Sequence, residues 1–422
     1  MIRPWYRSGL FLFAGILLFM NGATANDSLV TWKAEMRVRG EADGRDFMNS
    51  TSPNLYTLLR TRFGADVRPV EDLTISVLFQ DSRIFGQPVV AGAGNTTTNL
   101  RNIDLHEGYI RVDNLFARHL SLTVGRMGLS YGAERIIGRL DWSNVGRTFD
   151  GALIRFAPSG HALDLWANSV TEYSVPPSTV TRATVASRGN EGYLFWGGHY
   201  SYLGISGHKF ALLGFQERSY LDTTTGEIDR SRWTLGGRAD GSLWSFFYEA
   251  EGAYQLGSES GADISAYLLA ASLGYRIDSP LRSVMAGYEH LSGTPAGSAE
   301  IKTFQPPFPT AHKFLGIMDY FTNIRLQTFD RGLRDLYLRI VLVPVQDLSV
   351  SLTGHRFLLA EYFVGQKNLG TEIDLAGKLA YNEFLTFELG GGVFLPDEVM
   401  ESQFRGSEPG WWGYLMILAR LP

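Results

Sequence analysis

Apolar and polar residues alternate strictly over short segments of this chain. Between residues 31 and 41 the even positions from Trp32 to Val38 are apolar, and the odd positions from Lys33 to Glu41 are charged. Residues 55–68 repeat the alternation, with Phe63 on the apolar face and Arg60 on the polar face. Because successive side chains of a strand point to opposite faces, each segment predicts a β-strand with one apolar and one polar face.

The same pattern predicts eighteen strands. They cover residues 31–41, 55–68, 73–83, 103–112, 120–127, 149–156, 161–170, 192–202, 208–218, 231–242, 245–256, 263–277, 282–292, 333–343, 348–357, 369–380, 384–395 and 410–421. The connections alternate between short and long, and both termini fall on the short-turn side. This plan predicts an all-β fold: an 18-stranded antiparallel transmembrane β-barrel of the outer membrane, with short periplasmic turns and long extracellular loops.

The N-terminus has the features of a secretory signal peptide. Arg3 and Arg7 precede an apolar segment at residues 10–20, and Ala23-Thr24-Ala25 forms a small-x-small cleavage site. We therefore expect a signal peptide in residues 1–25 and one barrel domain in residues 26–422, located in the bacterial outer membrane. The first strand would begin a few residues after cleavage, which leaves no room for a globular plug domain ahead of the barrel.

Composition narrows the possible classes of function. The chain contains no cysteine, which excludes disulfides, thiolate metal sites and cysteine nucleophiles. Loss of the signal peptide removes two arginines and no acids, so the formal net charge changes from -5 to -7. A nucleic-acid-binding protein normally carries a basic surplus, and we therefore expect no nucleic-acid partner. After the signal, no apolar run reaches 18 residues, so a transmembrane helix is not expected.

No catalytic, metal-binding or cofactor motif stands out. The chain has eight histidines but lacks the nucleophile elbow, the zinc-binding helix motif, the phosphate-binding loop and the dinucleotide fingerprint. His106 and His290 each lie beside a glutamate, but neighbours in a strand point to opposite faces and cannot form an acid–base pair. The sequence therefore predicts no enzyme activity, no cofactor and no metal.

Function should reside in the lumen, because a barrel of this size encloses an aqueous channel unless loops close it. The inward positions of the first two strands are rich in cations, and those of strands eleven and sixteen carry acids. Strand eleven would stand opposite strand two, so a basic wall would face an acidic wall. The alternative is that these groups form lateral ion pairs that only fill space. The predicted pore-lining residues on strands are Lys33, Arg37, Arg39, Arg60, Arg62, Arg155, Arg238, Glu249, Glu251, Arg339, Glu372 and Asp374.

Residues 125–151 join two strands through a loop of unusual composition. Four arginines alternate with aromatic residues and glycines, which suits a loop that contacts anions. These residues, Arg126, Arg135, Arg139 and Arg147, together with Asp150, are also predicted to line the pore or bind substrate. Arg126 has the parity of the outward residues of its strand, so either a bulge precedes it or it already belongs to the loop. We favour the loop.

This stretch resembles the alginate-export family of outer-membrane proteins. The resemblance rests on Gly125-Arg126, Tyr131-Gly132, the Arg135–Gly138 and Asp141–Asn144 segments and Arg147-Thr148-Phe149-Asp150-Gly151, and it continues in residues 304–321. It implies export of a polyuronate such as alginate through an arginine-lined pore, and it leaves room for export partners in the periplasm. We expect both loops, residues 127–148 and 293–332, to fold into the barrel and narrow it.

Two other functions remain as alternatives. A general or substrate-selective porin for small anions or organic acids needs one constriction, whereas a polyuronate path should hold cationic contacts along its length. An outer-membrane enzyme comes third, and a purely structural barrel would not require a charged lumen. The expected partners are therefore outer-membrane lipid and either an anionic polysaccharide or a small anionic solute.

Overall fold

A computed structural model describes residues 29–48, 50–85, 103–171, 193–219, 228–278, 280–404 and 406–421. The expected signal peptide lies outside these ranges. The described chain forms one antiparallel sheet of eighteen strands, in which sequential strands pair and β18 pairs back with β1. The strands are β1 Val30–Gly44, β2 Asn54–Val70, β3 Leu73–Phe85, β4 Asp104–Val112, β5 Leu120–Met127, β6 Phe149–Phe156, β7 His161–Thr171, β8 Tyr193–Tyr202, β9 His208–Ser219, β10 Arg230–Leu243, β11 Phe246–Glu259, β12 Ala262–Arg276, β13 Leu281–Leu291, β14 Leu333–Val345, β15 Leu348–Phe363, β16 Gln366–Ala380, β17 Leu385–Pro396 and β18 Gly410–Arg420. The predicted 18-stranded barrel is therefore confirmed.

Each strand separates its residues between the two faces of the closed sheet. On β2, Arg60 is 3% exposed and directed into the barrel, whereas Phe63 is 43% exposed on the outer face. Phe63 stacks there on Trp32 of β1, with ring centroids 5.7 Å apart. Aromatic residues near the rim of the outer face are typical of membrane-spanning barrels. The apolar side chains of the strands thus form the lipid-facing surface, and the polar side chains line the lumen.

The connections only partly follow the predicted alternation of short and long. At the rim with the longer loops, β11 and β12 are joined through Ser260 and Gly261, and β15 and β16 through Val364 and Gly365. All four residues have positive φ, between 48° and 82°. Two central residues with positive φ give the tight hairpin turn whose twist matches the twist of paired strands. The expected alternation of short and long connections therefore fails at these two places.

In the part of the chain that the structure describes, helices are confined to short segments at the long-loop side. The described helices are a 3-10 turn at Ala311–Lys313, α1 at Ile324–Gln327 and α2 at Glu398–Phe404. Among the described residues, no helix has both the length and the apolar character needed to cross a membrane.

The interior of the barrel contains a packed apolar core. Phe195 and Phe215 of the wall are completely buried, and so are Phe304 and Met318 of the connection between β13 and β14. Phe308 of the same connection lies edge-on to Phe195, with ring centroids 4.8 Å apart. Loops folded into the lumen therefore provide one half of the core and the inward side chains of the strands provide the other.

Candidate functional site

Two connections meet inside the barrel and form one body. The central loop, residues 128–148, follows β5, and the long loop, residues 292–332, follows β13. Ile137 and Phe308 form a parallel bridge, in which Gly138 N donates to Phe308 O at 2.8 Å and Phe308 N donates to Ile136 O at 3.0 Å. We call the two loops together the inner plug. Both loops also contact the inward side chains of the strands, so the expectation that they fold into the barrel is confirmed.

The inner plug is held on one side by the predicted basic wall of β1 and β2. Arg37 and Arg60 are directly opposite each other across the strand pair, an arrangement in which like charges repel. Asp141 O accepts from both guanidinium groups, at 2.7 Å and 2.8 Å, and Ser143 O accepts from them at 2.8 Å and 3.0 Å. Two carbonyl oxygens of the central loop therefore bridge the pair and offset the repulsion.

Arg39 and Arg62 complete the basic wall. Arg39 donates to Trp142 O at 2.9 Å, and its guanidinium carbon lies 3.9 Å from the centre of the Trp142 ring. Arg62 donates to Asp141 Oδ1 at 3.0 Å. Burial alone would raise the pKa of Asp141, but the nearby arginines, Arg62 above all, hold it below its usual value. Asp141 therefore keeps its charge where it faces the basic wall.

The opposite side of the inner plug is held by the predicted acidic wall. Arg135 of the central loop pairs with Glu249 and Glu251 of β11, the latter at 3.0 Å, and with Glu289 of β13 at 2.9 Å. Burial alone would lower the pKa of Arg135, but the three carboxylates raise it above its usual value. Arg238 of β10 also contacts this wall, at 2.8 Å from Glu249. The central loop thus spans the lumen between two walls of opposite charge.

A third wall holds the long loop through its backbone. Glu372 and Asp374 lie next to each other on the inward face of β16. Met318 N donates to Glu372 Oε1 at 3.0 Å, and Ile317 N lies 3.4 Å from Asp374 Oδ2. These two acids therefore bind the inner plug, and within the described ranges neither of them pairs with an arginine.

A cavity of about 570 Å³ remains between the inner plug and the basic wall, near the long-loop rim. Its polar lining includes three arginines and two acids, Glu41 and Asp319, and its apolar lining includes the rings of one tyrosine and two tryptophans. Trp142 stacks on His312 with ring centroids 3.9 Å apart and an angle of 6° between the planes. We call this space the vestibule cavity; its lining includes Arg39, Arg45, Arg147, Tyr56, Trp142, His312 and Trp412.

Among the arginines of the vestibule cavity, Arg147 has the fewest negatively charged partners. It donates to Gly138 O at 3.0 Å and to Pro309 O at 3.2 Å. Within the described part of the chain it forms no ion pair with a carboxylate. Burial lowers the pKa of Arg147 to about 10, so the side chain still carries its charge at neutral pH. An uncompensated guanidinium beside a cavity favours an anionic ligand.

The other predicted lining residues are dispersed around the lumen. Each of them contacts a neighbour on the wall or in the plug: Lys33 with Asp66 at 2.6 Å, Arg155 with Asp164 at 3.1 Å, Arg339 with Thr353 at 3.2 Å, and Arg139 with Glu107. The lateral ion pairs that the sequence left open as an alternative are thus present at several of these positions. The structure does not bring these four cations together into one site.

Arg126 and Asp150 are corrections to the predicted site. They are direct partners across β5 and β6, and they form a bidentate ion pair with distances of 2.7 Å and 2.6 Å. Met127 and Phe149, the next residues of the same strands, are buried in the interior. Because strand neighbours point to opposite faces, Arg126 and Asp150 face outward. The assignment of Arg126 to the loop was wrong, and neither residue lines the pore.

Sequence reasoning missed several residues of the site. Glu289 is 2% exposed and pairs with Arg135, and Glu107 pairs with Arg139. The strand alternation could have identified Glu289 as an inward acid. At Glu107 a register irregularity in the pairing of β3 and β4 breaks the alternation, so His106 and Glu107 are both buried, and the expectation that these two neighbours face opposite sides is wrong. Tyr414 is inward and packs edge-on against Trp142 at 5.0 Å. It stands two residues after Trp412, which the alternation also directs into the lumen.

The described residues offer no arrangement that would hold a metal ion through three or more His, Asp or Glu side chains. The chemistry of the site is instead that of guanidinium groups, carboxylates and aromatic rings around a loop-filled lumen. A closed membrane barrel with this interior defines an outer-membrane channel.

Comparison with known proteins identifies the family. A family model described as alginate export matches residues 29–407. The chain belongs to the alginate-export family. A comparison with curated proteins found no match.

Solved structures share the fold at low sequence identity. The barrel is similar to Pseudomonas aeruginosa OccK11 (OpdR), with 13% identity and a TM-score of 0.57 over 93% of this chain and 96% of that chain. Acinetobacter baumannii OccAB1 shows 11% identity and a TM-score of 0.60 over 94% and 99% of the chains. Pseudomonas aeruginosa OpdK with vanillate shows 12% identity and a TM-score of 0.55 over 92% and 98%. Family and fold are thus those of channel proteins.

Proposed function

We propose that the barrel passes an anionic polysaccharide, a polyuronate such as alginate, through its arginine-lined lumen. The observation that carries the proposal is the vestibule cavity, in which guanidinium groups and aromatic rings line the same space. A polyuronate repeats the two chemical features that such a lining recognises, a carboxylate and a ring with an apolar face. Cavities of 300–1,000 Å³ are the usual size of small-molecule sites, so about 570 Å³ suits a short piece of the polymer.

The arginines of the vestibule cavity supply the anion contacts. Guanidinium groups bind carboxylates through two parallel hydrogen bonds and keep their charge at any working pH. Arg147 is the strongest candidate, because its described partners are neutral carbonyl oxygens. A carboxylate can exchange with these carbonyls and bring a full negative charge to the guanidinium.

The basic wall extends the proposed path below the vestibule cavity. Arg37 and Arg60 are bound to carbonyl oxygens of the central loop, and these bonds place loop oxygens where carboxylates of a passing polymer would bind. Passage of a polymer would therefore require the central loop to move away from this wall. The carboxylates of the polymer would replace the carbonyls, so the arginines would remain bonded during the exchange.

A small anion or organic acid is the second candidate substrate. The inner plug favours it, because two loops packed across the lumen leave less room than a polymer path needs. The structure of OpdK, which shares the fold, contains vanillate, a small aromatic carboxylate. A single ring with one carboxylate would satisfy the same cavity lining without displacement of the central loop.

Planar-bilayer recording of the purified channel tests both candidates. In a salt gradient we expect a reversal potential that shows anion preference, and a block by oligouronates that strengthens with chain length. Neutral oligosaccharides of equal length should block less. A block that is equal for charged and neutral sugars would refute the uronate proposal. A block by benzoate that longer oligouronates do not exceed would favour the small-anion channel.

The variant Arg147→Met separates the vestibule cavity from the rest of the lumen. Methionine preserves much of the side-chain volume and removes the charge, so the oligouronate block should weaken. Arg155→Met is the matched control, since Arg155 also faces the lumen but already pairs with Asp164 at 3.1 Å. If both variants change the block equally, the vestibule cavity is not the binding site.

A further inference from the structure

Glu372 and Asp374 form a pair of buried carboxylates on the inner face of β16. Residues two apart in a strand share a face, and the two side chains are 0% and 4% exposed. The carboxyl groups are within hydrogen-bonding reach of each other. Such a pair needs an explanation, because a buried charge is costly unless it is matched by an opposite charge.

The surroundings of the pair contain few compensating charges. His355 of β15 lies with Nε2 3.7 Å from Asp374 and with Nδ1 2.8 Å from Asp335 of β14, a third buried acid. Arg339 of β14 points to the same side of the barrel but bonds to Thr353. In the described structure no lysine or arginine forms an ion pair with Glu372 or Asp374. The immediate charge balance is therefore acidic.

The remaining neighbours of the pair come from the inner plug and from β17. His312 and Asp319 of the long loop bond to each other at 3.0 Å and are close enough to the pair to interact with it electrostatically, as is the neutral Tyr320 hydroxyl. The nearest residue of β17 is Gly392, which carries no charge. The plug therefore places one base and one acid near the pair, and these two together do not offset the negative charge of Glu372 and Asp374.

The long loop is fitted closely to these carboxylates. Besides the amides of Ile317 and Met318, Gly316 lies against the Glu372 carboxylate with a φ of 79°, and a β-carbon at this position would collide with it. Only glycine combines this backbone conformation with such a close approach. The contact is thus a specific docking point between the plug and the wall.

Two oxygens of the pair lack a hydrogen-bond donor in the structure, Glu372 Oε2 and Asp374 Oδ1. Buried polar atoms without a partner are rare in folded proteins. Two carboxyl groups within hydrogen-bonding reach can bond to each other only if one of them carries a proton. A shared proton would supply the missing donor and remove one of the two negative charges.

We propose that Glu372 and Asp374 bind one shared proton, and that this protonated pair is a latch that keeps the long loop docked in the lumen. Loss of the proton leaves two adjacent buried carboxylates of like charge. One of them must then turn towards water, and its bond to the amide of Ile317 or Met318 is lost. The latch therefore opens as the pH rises and widens the channel, whatever solute the channel carries.

Single-channel recording in potassium chloride between pH 5 and pH 9 tests the latch without any substrate. We expect the open-to-closed ratio of the wild-type channel to rise by about tenfold, the factor that accompanies the loss of one hydrogen bond to a charged group. The double variant Glu372→Gln with Asp374→Asn should show no such rise, because amides do not titrate here. The matched control Glu388→Gln changes an inward acid that pairs with Lys378 and does not touch the plug. This control should keep the wild-type response.

Three outcomes would overturn the proposal. The wild-type channel could be insensitive to pH, the double variant could retain the response, or the variant His355→Gln could abolish it, which would make the histidine the sensor. Labelling provides a second measurement that needs no change to the carboxylates. The chain has no cysteine, so a single Ile317→Cys thiol reports on the docked segment. Its labelling rate, normalised to Val364→Cys in an exposed turn, should rise with pH, and a constant ratio would refute the latch.

Discussion

Replacement of Arg135 by methionine should release the inner plug from the acidic wall. The Arg135 side chain is 5% exposed, and its loss leaves Glu249, Glu251 and Glu289 facing the plug without their shared partner. Glu289 is the most deeply buried of the three. Removing one partner of a buried ion pair costs about 3–5 kcal/mol. This cost is avoided if the plug moves away from the acidic wall, because water can then enter and solvate the carboxylates. The equilibrium between docked and released plug should therefore shift by roughly 10²- to 4,000-fold.

Conductance and limited proteolysis measure this shift. Arg135→Met should conduct more than the wild-type channel, and the central loop should be cleaved faster while the barrel itself remains resistant. Arg155→Met is again the control, because Arg155 is 45% exposed and its ion pair is with Asp164 of the neighbouring strand and not with the inner plug. If the two variants conduct and digest alike, Arg135 does not anchor the plug and the reasoning from its burial is refuted.

Three further predictions concern the plug and the wall that faces it. The double change Arg60→Glu with Arg62→Glu should move the reversal potential in a salt gradient towards cations, and a channel indifferent to it would contradict the basic wall. Deletion of residues 306–312 should raise single-channel conductance, whereas an unchanged value would place this segment outside the conducting path. The pKa of Asp141 is lowered overall, because Arg62 and Arg139 outweigh its burial. The ionised Asp141 therefore supports the docked plug fully above pH 3.8, its ordinary pKa, and this support is lost as the pH falls through the lowered pKa. Acid should therefore speed proteolysis of the wild-type loop in a step that Asp141→Asn lacks.

The strands were predictable because their two faces meet such different surroundings. Lipid on one side and a polar lumen on the other impose the alternation residue by residue, as in β1 and β2. Turn chemistry was harder to interpret. The segment around Val364 and Gly365 was expected to be a longer connection, but β15 and β16 extend to a two-residue turn. A β-branched residue is unfavourable at positive φ, so the sequence gives little warning of a turn there.

The error at Arg126 arose from its charge. Its parity indicates the outward face, but a charge is costly at a lipid-facing position, and this cost favoured the loop assignment for Arg126 although the strand pattern itself extends to residue 127. The ion pair with Asp150 on the neighbouring strand resolves this conflict, because each charge neutralises the other. Pairing between strands depends on register, which the alternation of one strand does not reveal.

Contacts between the plug and the walls were beyond the sequence pattern. The two walls of opposite charge were expected from strand order, but the partner of each guanidinium was not, since loop carbonyls carry no side-chain signature. Glu289 illustrates the limit. The argument that separated it from His290 was correct, as His290 stacks on outward Tyr267, yet nothing in the sequence connected Glu289 with Arg135.

The bridge between Ile137 and Phe308 has a consequence for the order in which the protein assembles. It joins residues 171 positions apart in the chain. The inner plug that contains this bridge contacts β1, β2, β11, β13 and β16. An incomplete sheet that ends before β16 lacks one of these supports. We therefore expect the interior to become ordered only in the last stage of folding, together with the seam between β18 and β1. A protein arrested before that seam forms would present its plug residues to the surrounding solvent or to chaperones.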